Sequence, residues 1–170
     1  YIKGDDGDRP LRCDIRRLDN KEGRRLGQMF VFSDISLETD MLTGFQKWDS
    51  FQRLAMEEVD HFTFPVGVAI CDINGLSVIN STLGNQAGDQ RINALAGIMR
   101  KNFPERTYYV RGIDAHLIAL CSHSSEEEMA ACVERVKEQY DGSIQYAVGV
   151  AADEGQSVVA AIIDAATAMK

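Results

Sequence analysis

Asp114 stands in Val110-Arg111-Gly112-Ile113-Asp114-Ala115-His116, between the apolar residues 108–110 and the apolar run 117–121. Two apolar segments separated by a short turn carrying glycine and an acid read as the antiparallel strands of a hairpin. That turn sets Asp114 at the end of a sheet. Asp72 closes a second apolar run, residues 64–71. A turn carboxylate beside a strand-end carboxylate is one way to build a magnesium site for phosphoryl transfer, because hard oxygen donors suit a hard cation. The residue after Asp114 is Ala115, which offers no side-chain ligand. The choice is therefore between a working catalytic turn and the shell of one. His116 lies two residues from Asp114 and suggests a separate metal site, although a lone histidine on a hairpin is more often structural.

The surrounding pattern supplies the elements that must position these acids. Phe45, Trp48, Phe51, Leu54, Ala55 and Val59 recur at spacings of three and four, the apolar face of a helix over 46–59 with Thr43 as its cap. Trp48 and Phe51 on that face read as core rather than as ligand-stacking rings. Residues 64–71 are nearly continuously apolar, as a central strand buried on both faces requires. A short helix over 74–82, a break at Gly84-Asn85 and a longer helix over 87–101 follow. Ser124-Ser125-Glu126-Glu127-Glu128 is a capping sequence for a helix to about residue 140, with acids favourable to its dipole. Residues 144–151 read as a strand and 157–169 as a final amphipathic helix. This order predicts an α+β fold, with a central, mostly antiparallel sheet flanked by helices. Upstream, residues 11–18 and 25–32 lie between turn signals and predict an N-terminal β-hairpin, which is marginal in water by itself. A boundary near residue 36 therefore divides 1–36 from 37–170.

Composition narrows the partners. The chain has 170 residues, 45% hydrophobic and 26% charged, enough for one domain with a real core plus a fragment of another. A net charge of −8 and a pI near 4.9 argue against nucleic acid, whose phosphate backbone demands clustered Lys and Arg. A single nucleotide held by magnesium is compatible with that sign. Cys13, Cys71, Cys121 and Cys132 form neither a Cys-x-x-Cys pair nor a framework spacing, and read as reduced core thiols. No apolar run approaches the roughly 20 residues of a membrane span. With Tyr1 first and no signal-peptide pattern, the chain reads as a cytoplasmic piece of something longer, including the cytoplasmic portion of a membrane-anchored sensor.

Several motifs occur in a fixed order: Asp40-Met41-Leu42-Thr43-Gly44-Phe45, then Asp72-Ile73-Asn74-Gly75-Leu76-Ser77-Val78-Ile79-Asn80-Ser81, then Gly84-Asn85-Gln86-Ala87-Gly88-Asp89, then Gly112-Ile113-Asp114-Ala115-His116. Ala147-Val148-Gly149-Val150-Ala151 and Ile163-Asp164-Ala165-Ala166 close the series. Together, over residues 37–170, they resemble the GGDEF domain family of diguanylate cyclases, bacterial signal-transduction proteins whose active members condense two GTP into cyclic di-GMP across a dimer. The resemblance implies a nucleotidyl-cyclase-like fold with a ferredoxin-like core. It implies metal ligation by Asp72, the Ile73 backbone and Asp114, holding Mg2+ or Mn2+ with GTP. It implies nucleotide binding by Asn80, Asp89 and Gly112, with Asn80 and Asp89 reading the guanine edge, and it leaves Asp114 as the catalytic remnant. Asp72 also has the simpler reading of a cap for the helix after it, and Asn80 and Asp89 are ordinary helix-boundary residues.

The departures matter as much. Ile113 stands where the signature has its second glycine, Ala115 where it has glutamate, and Ser77 where the family has a lysine near the phosphates. Ser81 and Asn85 replace an acid and a histidine, and His116 a phenylalanine. Phe103-Pro104-Glu105-Arg106 aligns with the family's Arg-x-x-Asp product site and matches neither end, so no inhibitory site is expected. The expectation is a noncatalytic module that binds GTP or dimerises. The rivals are an active, atypical cyclase using Asp72, Asp114 and the Ile73 carbonyl, and an interaction domain that binds no nucleotide. Residues 1–36, ending Phe30-Val31-Phe32-Ser33-Asp34-Ile35-Ser36, resemble the last two strands and exit of a PAS sensor. An upstream sensor, a homodimer and a downstream output domain are the partners this implies.

Overall fold

The computed structural model describes residues 2–4, 7–9, 11–34, 37–57, 62–153 and 155–169. The apolar run predicted as a central strand is β6, Val66–Ile73, which starts two residues later than expected and runs past Asp72. It pairs antiparallel with β8, Leu117–Ser122, on one side and with β9, Ile144–Ala151, on the other. β7, Tyr108–Arg111, pairs antiparallel with β8. A two-residue strand, β5 at Gln46–Lys47, adds to β7 in parallel. The five-stranded order is β5-β7-β8-β6-β9, the mostly antiparallel sheet expected.

Helices cover both faces. On one, α3 (Asn85–Asn102) and α4 (Glu126–Gln139) bury Leu95, Met99, Val133 and Val136 against Ala69, Cys71 and Leu117. On the other, α1 (Trp48–Glu57) and α5 (Val158–Ala168) bury Phe51, Val158 and Ile162 against Val68, Ile70 and Ile118. Strictly alternating use of both faces is why β6 reads as uninterrupted hydrophobicity. The expected capping box at α4 is present: Glu128 N donates to Ser125 Oγ at 3.3 Å, and Ser125 N donates to Glu128 Oε2 at 2.9 Å. The short helix α2, Leu76–Leu83, precedes α3.

Three expectations are corrected. Gln46 and Lys47 belong to β5, so α1 begins at Trp48; Val59 lies outside the described residues. Thr43 does not cap α1: it is buried in the preceding turn, where its hydroxyl donates to Asp40 Oδ1 at 2.6 Å and accepts from Phe45 N at 3.2 Å. Cys13 is exposed whereas Cys71, Cys121 and Cys132 are buried, because Cys13 sits on the hairpin and not in the main core. That hairpin is β3, Leu11–Asp19, antiparallel to β4, Arg25–Asp34. Its proposed exit, Ile35-Ser36, lies outside the described residues. Two further short strands, β1 (Ile2–Gly4) and β2 (Gly7–Arg9), pair around residues expected only as a turn.

Candidate functional site

The register of the sheet brings the two predicted acids to one end of it. Leu117 pairs with Cys71 on β6 and with Arg111 on β7, so the connection 112–116 emerges beside Asp72. It is a 3-10 turn over Ile113–Ala115, closed by Gly112 N to His116 O at 2.8 Å and His116 N to Ile113 O at 3.2 Å. Asp114 and Ala115 both have left-handed backbones, φ 56° and 72°, a conformation aspartate tolerates and alanine adopts at a cost. Asp114 is exposed, and Ile113 is 63% exposed. Gly112 has an extended backbone, φ −74°, so its conformation does not call for glycine. Its lack of a side chain is used for packing, since a Cβ there would meet Ile118 Cδ1 at 3.0 Å and His116 Cβ at 3.2 Å.

Asp72 is half-buried, and its Oδ2 accepts from Gln145 Nε2 at 2.9 Å. The capping alternative is not what this side chain does: α2 begins after Gly75, in a left-handed conformation, with no side-chain cap. Burial, reinforced by the adjacent Asp72 charge, pushes the neighbouring Cys71 thiol up to about 12.

Asn80 packs across the α2–α3 junction against Gly88, the residue before Asp89. The Asn80 side chain lies against Gly88, so closely that a Cβ on Gly88 would sit 1.9 Å from Asn80 Oδ1. That oxygen is buried and has no hydrogen-bond partner among the described residues. An orphaned acceptor costs on the order of 1–3 kcal/mol, and an N–H brought by a ligand would relieve it. Asp89 follows Gly88 and is exposed. Ser77 is exposed on α2 and supplies no charge.

The sequence reading missed Arg111. It ends β7 half-buried, and its Nη1 donates to the Ala115 carbonyl at 2.5 Å. Burial pushes the guanidinium below its ordinary value, while Asp40, Asp72 and Asp89 pull it back up. Three carboxylates from separate elements therefore act on this cation electrostatically, without an ion pair among the described residues. Gly88 was missed as well, because its role depends on a helix packed against its own.

The model of the family described as "Diguanylate cyclase, GGDEF domain" matches residues 37–169. The chain belongs to this family. The fold of its GGDEF domain is similar to solved ones. The coiled coil and GGDEF domain of DgcB from Caulobacter crescentus, in complex with c-di-GMP, is 22% identical with TM-score 0.62, covering 78% of each chain. The FimX GGDEF domain from Pseudomonas aeruginosa is 21% identical with TM-score 0.57, covering 77% of this chain and 94% of that one. The Vibrio cholerae LapD S helix-GGDEF-EAL structure, bound to c-di-GMP, is 14% identical with TM-score 0.64, covering 79% of this chain and 34% of that one. No curated protein matches the chain.

The donor set of this GGDEF domain is sparse for a metal. Among the described residues no group of three His, Cys, Asp or Glu side chains is arranged to hold an ion, and His116 therefore gains no partners. What stands at this end of the sheet, Asp72, the Ile73 backbone and the exposed Asp114, suits at most one ion arriving on a nucleotide's phosphates, the usual way magnesium is bound. A resident two-metal centre does not fit these residues.

Proposed function

We propose that residues 37–170 form a GGDEF signalling module without cyclase chemistry, acting as a GTP-binding regulator or as a dimerising partner of another effector. The turn carries this reading: after Asp114 it presents the methyl of Ala115, whose carbonyl already accepts from Arg111. Phosphoryl transfer is almost entirely positioning and charge stabilisation. Losing an outer partner of a metal already costs about 10- to 100-fold. Ala115 removes a direct ligand and Ser77 a phosphate-side cation, so useful turnover is not expected. Guanine recognition is supported by the Asn80 Oδ1, unpartnered among the described residues, since the Watson–Crick edge of guanine carries N–H donors that such an acceptor can take. In this reading Mg2+ or Mn2+ accompanies the nucleotide through Asp72, the Ile73 carbonyl and Asp114.

Residues 1–36 belong, in the same reading, to the C-terminal end of a PAS-like sensor. The exposed Ile15, Phe30 and Phe32 of its hairpin are surface that the body of a sensor would cover. The full chain would then be a cytoplasmic bacterial relay, with an output domain such as a cyclic di-GMP phosphodiesterase to regulate.

The test is direct. Incubation with GTP and magnesium or manganese is expected to give no cyclic di-GMP, while GTP raises the melting temperature. Product formed at a rate that Asp72→Ala removes would assign an active, atypical cyclase instead. Absence of any thermal shift at millimolar GTP would leave an interaction domain that binds no nucleotide.

A further inference from the structure

The side chain of Arg111 lies on the same face of the sheet as the α2–α3 crevice, because its cross-strand neighbours Leu117 and Cys71 both pack beneath α3 and α4. Its guanidinium is a fork of N–H donors. Among the described residues one of them is used, on the Ala115 carbonyl, and no carboxylate forms an ion pair with it. A half-buried cation without a paired anion is costly unless an anion is supplied. Guanidinium geometry matches phosphate oxygens two at a time, which a lysine cannot do. The position also matters: the charges of Asp40, Asp72 and Asp89 are close enough to act on it, and without it their negative charge would oppose a triphosphate.

We propose that Arg111 is a phosphate-binding residue, receiving the phosphates of a nucleotide held in the α2–α3 crevice and making that binding independent of a divalent cation. This rests on the nucleotide-binding reading above. Arg111 takes over charge neutralisation at a site that has serine at 77 and alanine at 115, and a metal ion that arrives with the nucleotide adds to the interaction without being required for it.

The test is calorimetric titration of the purified chain with GTP, in magnesium and in excess EDTA. The affinity is expected to change by less than about 10-fold between the two conditions, a gap smaller than one charge-assisted hydrogen bond commands. Arg111→Gln is expected to weaken GTP binding in EDTA by about 10- to 100-fold while leaving guanosine binding unchanged. Because Arg111 also braces the turn, Ser77→Lys added to Arg111→Gln serves as the second arm. A cation restored from α2 recovers GTP affinity if phosphate binding was lost, and recovers nothing if the defect was structural. GTP binding that vanishes in EDTA, or that Arg111→Gln leaves intact, overturns the inference while the nucleotide reading stands. No GTP binding in either condition removes both.

Discussion

Replacing Gly88 by alanine probes the one contact on which the nucleotide reading most depends. An added Cβ would lie 1.9 Å from Asn80 Oδ1, 2.9 Å from its Cγ and 3.3 Å from its Nδ2, and ordinary contact begins near 3.4 Å. The obstructing group is the end of a flexible side chain, so the amide swings away while the backbones of α2 and α3 hold their spacing. Two effects then oppose each other in the free protein. Alanine in the helix α3 gains about 1 kcal/mol over glycine, and overpacking costs about 1–3 kcal/mol if the amide relaxes incompletely. Net destabilisation should stay below about 2 kcal/mol, and part of the cost of the orphaned Oδ1 is recovered on exposure. GTP binding should suffer more: a displaced amide forfeits its hydrogen bond to the base, a loss of about 1–3 kcal/mol or roughly 5- to 150-fold in Kd. Chemical denaturation and calorimetric titration of Gly88→Ala, Asn80→Ala and the double variant complete a cycle. In the Asn80→Ala background, Gly88→Ala should leave the remaining affinity unchanged and should stabilise. If Gly88→Ala instead costs more than about 3 kcal/mol in both backgrounds, the helices themselves clash and the reasoning about Asn80 fails.

Two further outcomes follow from the turn and the core. Ala115→Gly relieves a left-handed alanine, φ 72°, and should raise stability by about 0.5–1 kcal/mol in a denaturant titration, with no cyclic di-GMP formed; a loss of stability would show that the methyl is packed usefully. Alkaline pH should weaken the fold, because burial pushes both the Cys71 thiol and the Tyr109 hydroxyl up to about 12. Both hold their protons more tightly when folded, so their contribution is intact below the ordinary thiol value of 9.0 and is lost as pH rises toward 12. For Cys71 the slope is up to about 1.4 kcal/mol per pH unit. Cys71→Val should flatten the decline, and an unchanged slope would reject the assignment.

Most of the frame could be read from local pattern, since β6, β9, α4 and α5 each announce themselves through continuous apolarity, alternation or a cap. What escaped was set by tertiary pairing. Gln46 and Lys47 carry no strand signal and become β5 only because the edge of β7 needs a partner. Thr43 looks like a helix cap in sequence, yet the Asp40 carboxylate captures its N–H and hydroxyl at 2.8 and 2.6 Å and ends that option. At the site, Asp72 and Asp114 were visible because acids at strand ends and turns stand out. Arg111 was not, because a lone arginine at a strand end looks solvated until the fold half-buries it and sets its guanidinium on the Ala115 carbonyl. Gly88 is likewise silent, its use fixed by a side chain on a neighbouring helix.

The way the signature turn is held explains how its chemistry can differ while the fold persists. Its two closing bonds, Gly112 N to His116 O and His116 N to Ile113 O, and the brace from Arg111 to the Ala115 carbonyl, all end on main-chain acceptors. None uses the side chain of residue 114 or 115. Any residue that tolerates the left-handed backbone at 115 therefore keeps the turn, and a glutamate there would be constrained by chemistry alone. Residues 40–45 are the opposite case: Asp40 Oδ1 accepts from both the backbone and the hydroxyl of Thr43, and Thr43 Oγ1 accepts from Phe45 N. Those side chains form the turn, so substituting them would cost stability at once. The Asn80–Gly88 contact sits between these extremes. Its buried oxygen has no hydrogen-bond partner among the described residues, so the contact carries an unmet acceptor that an N–H of the proposed nucleotide would satisfy.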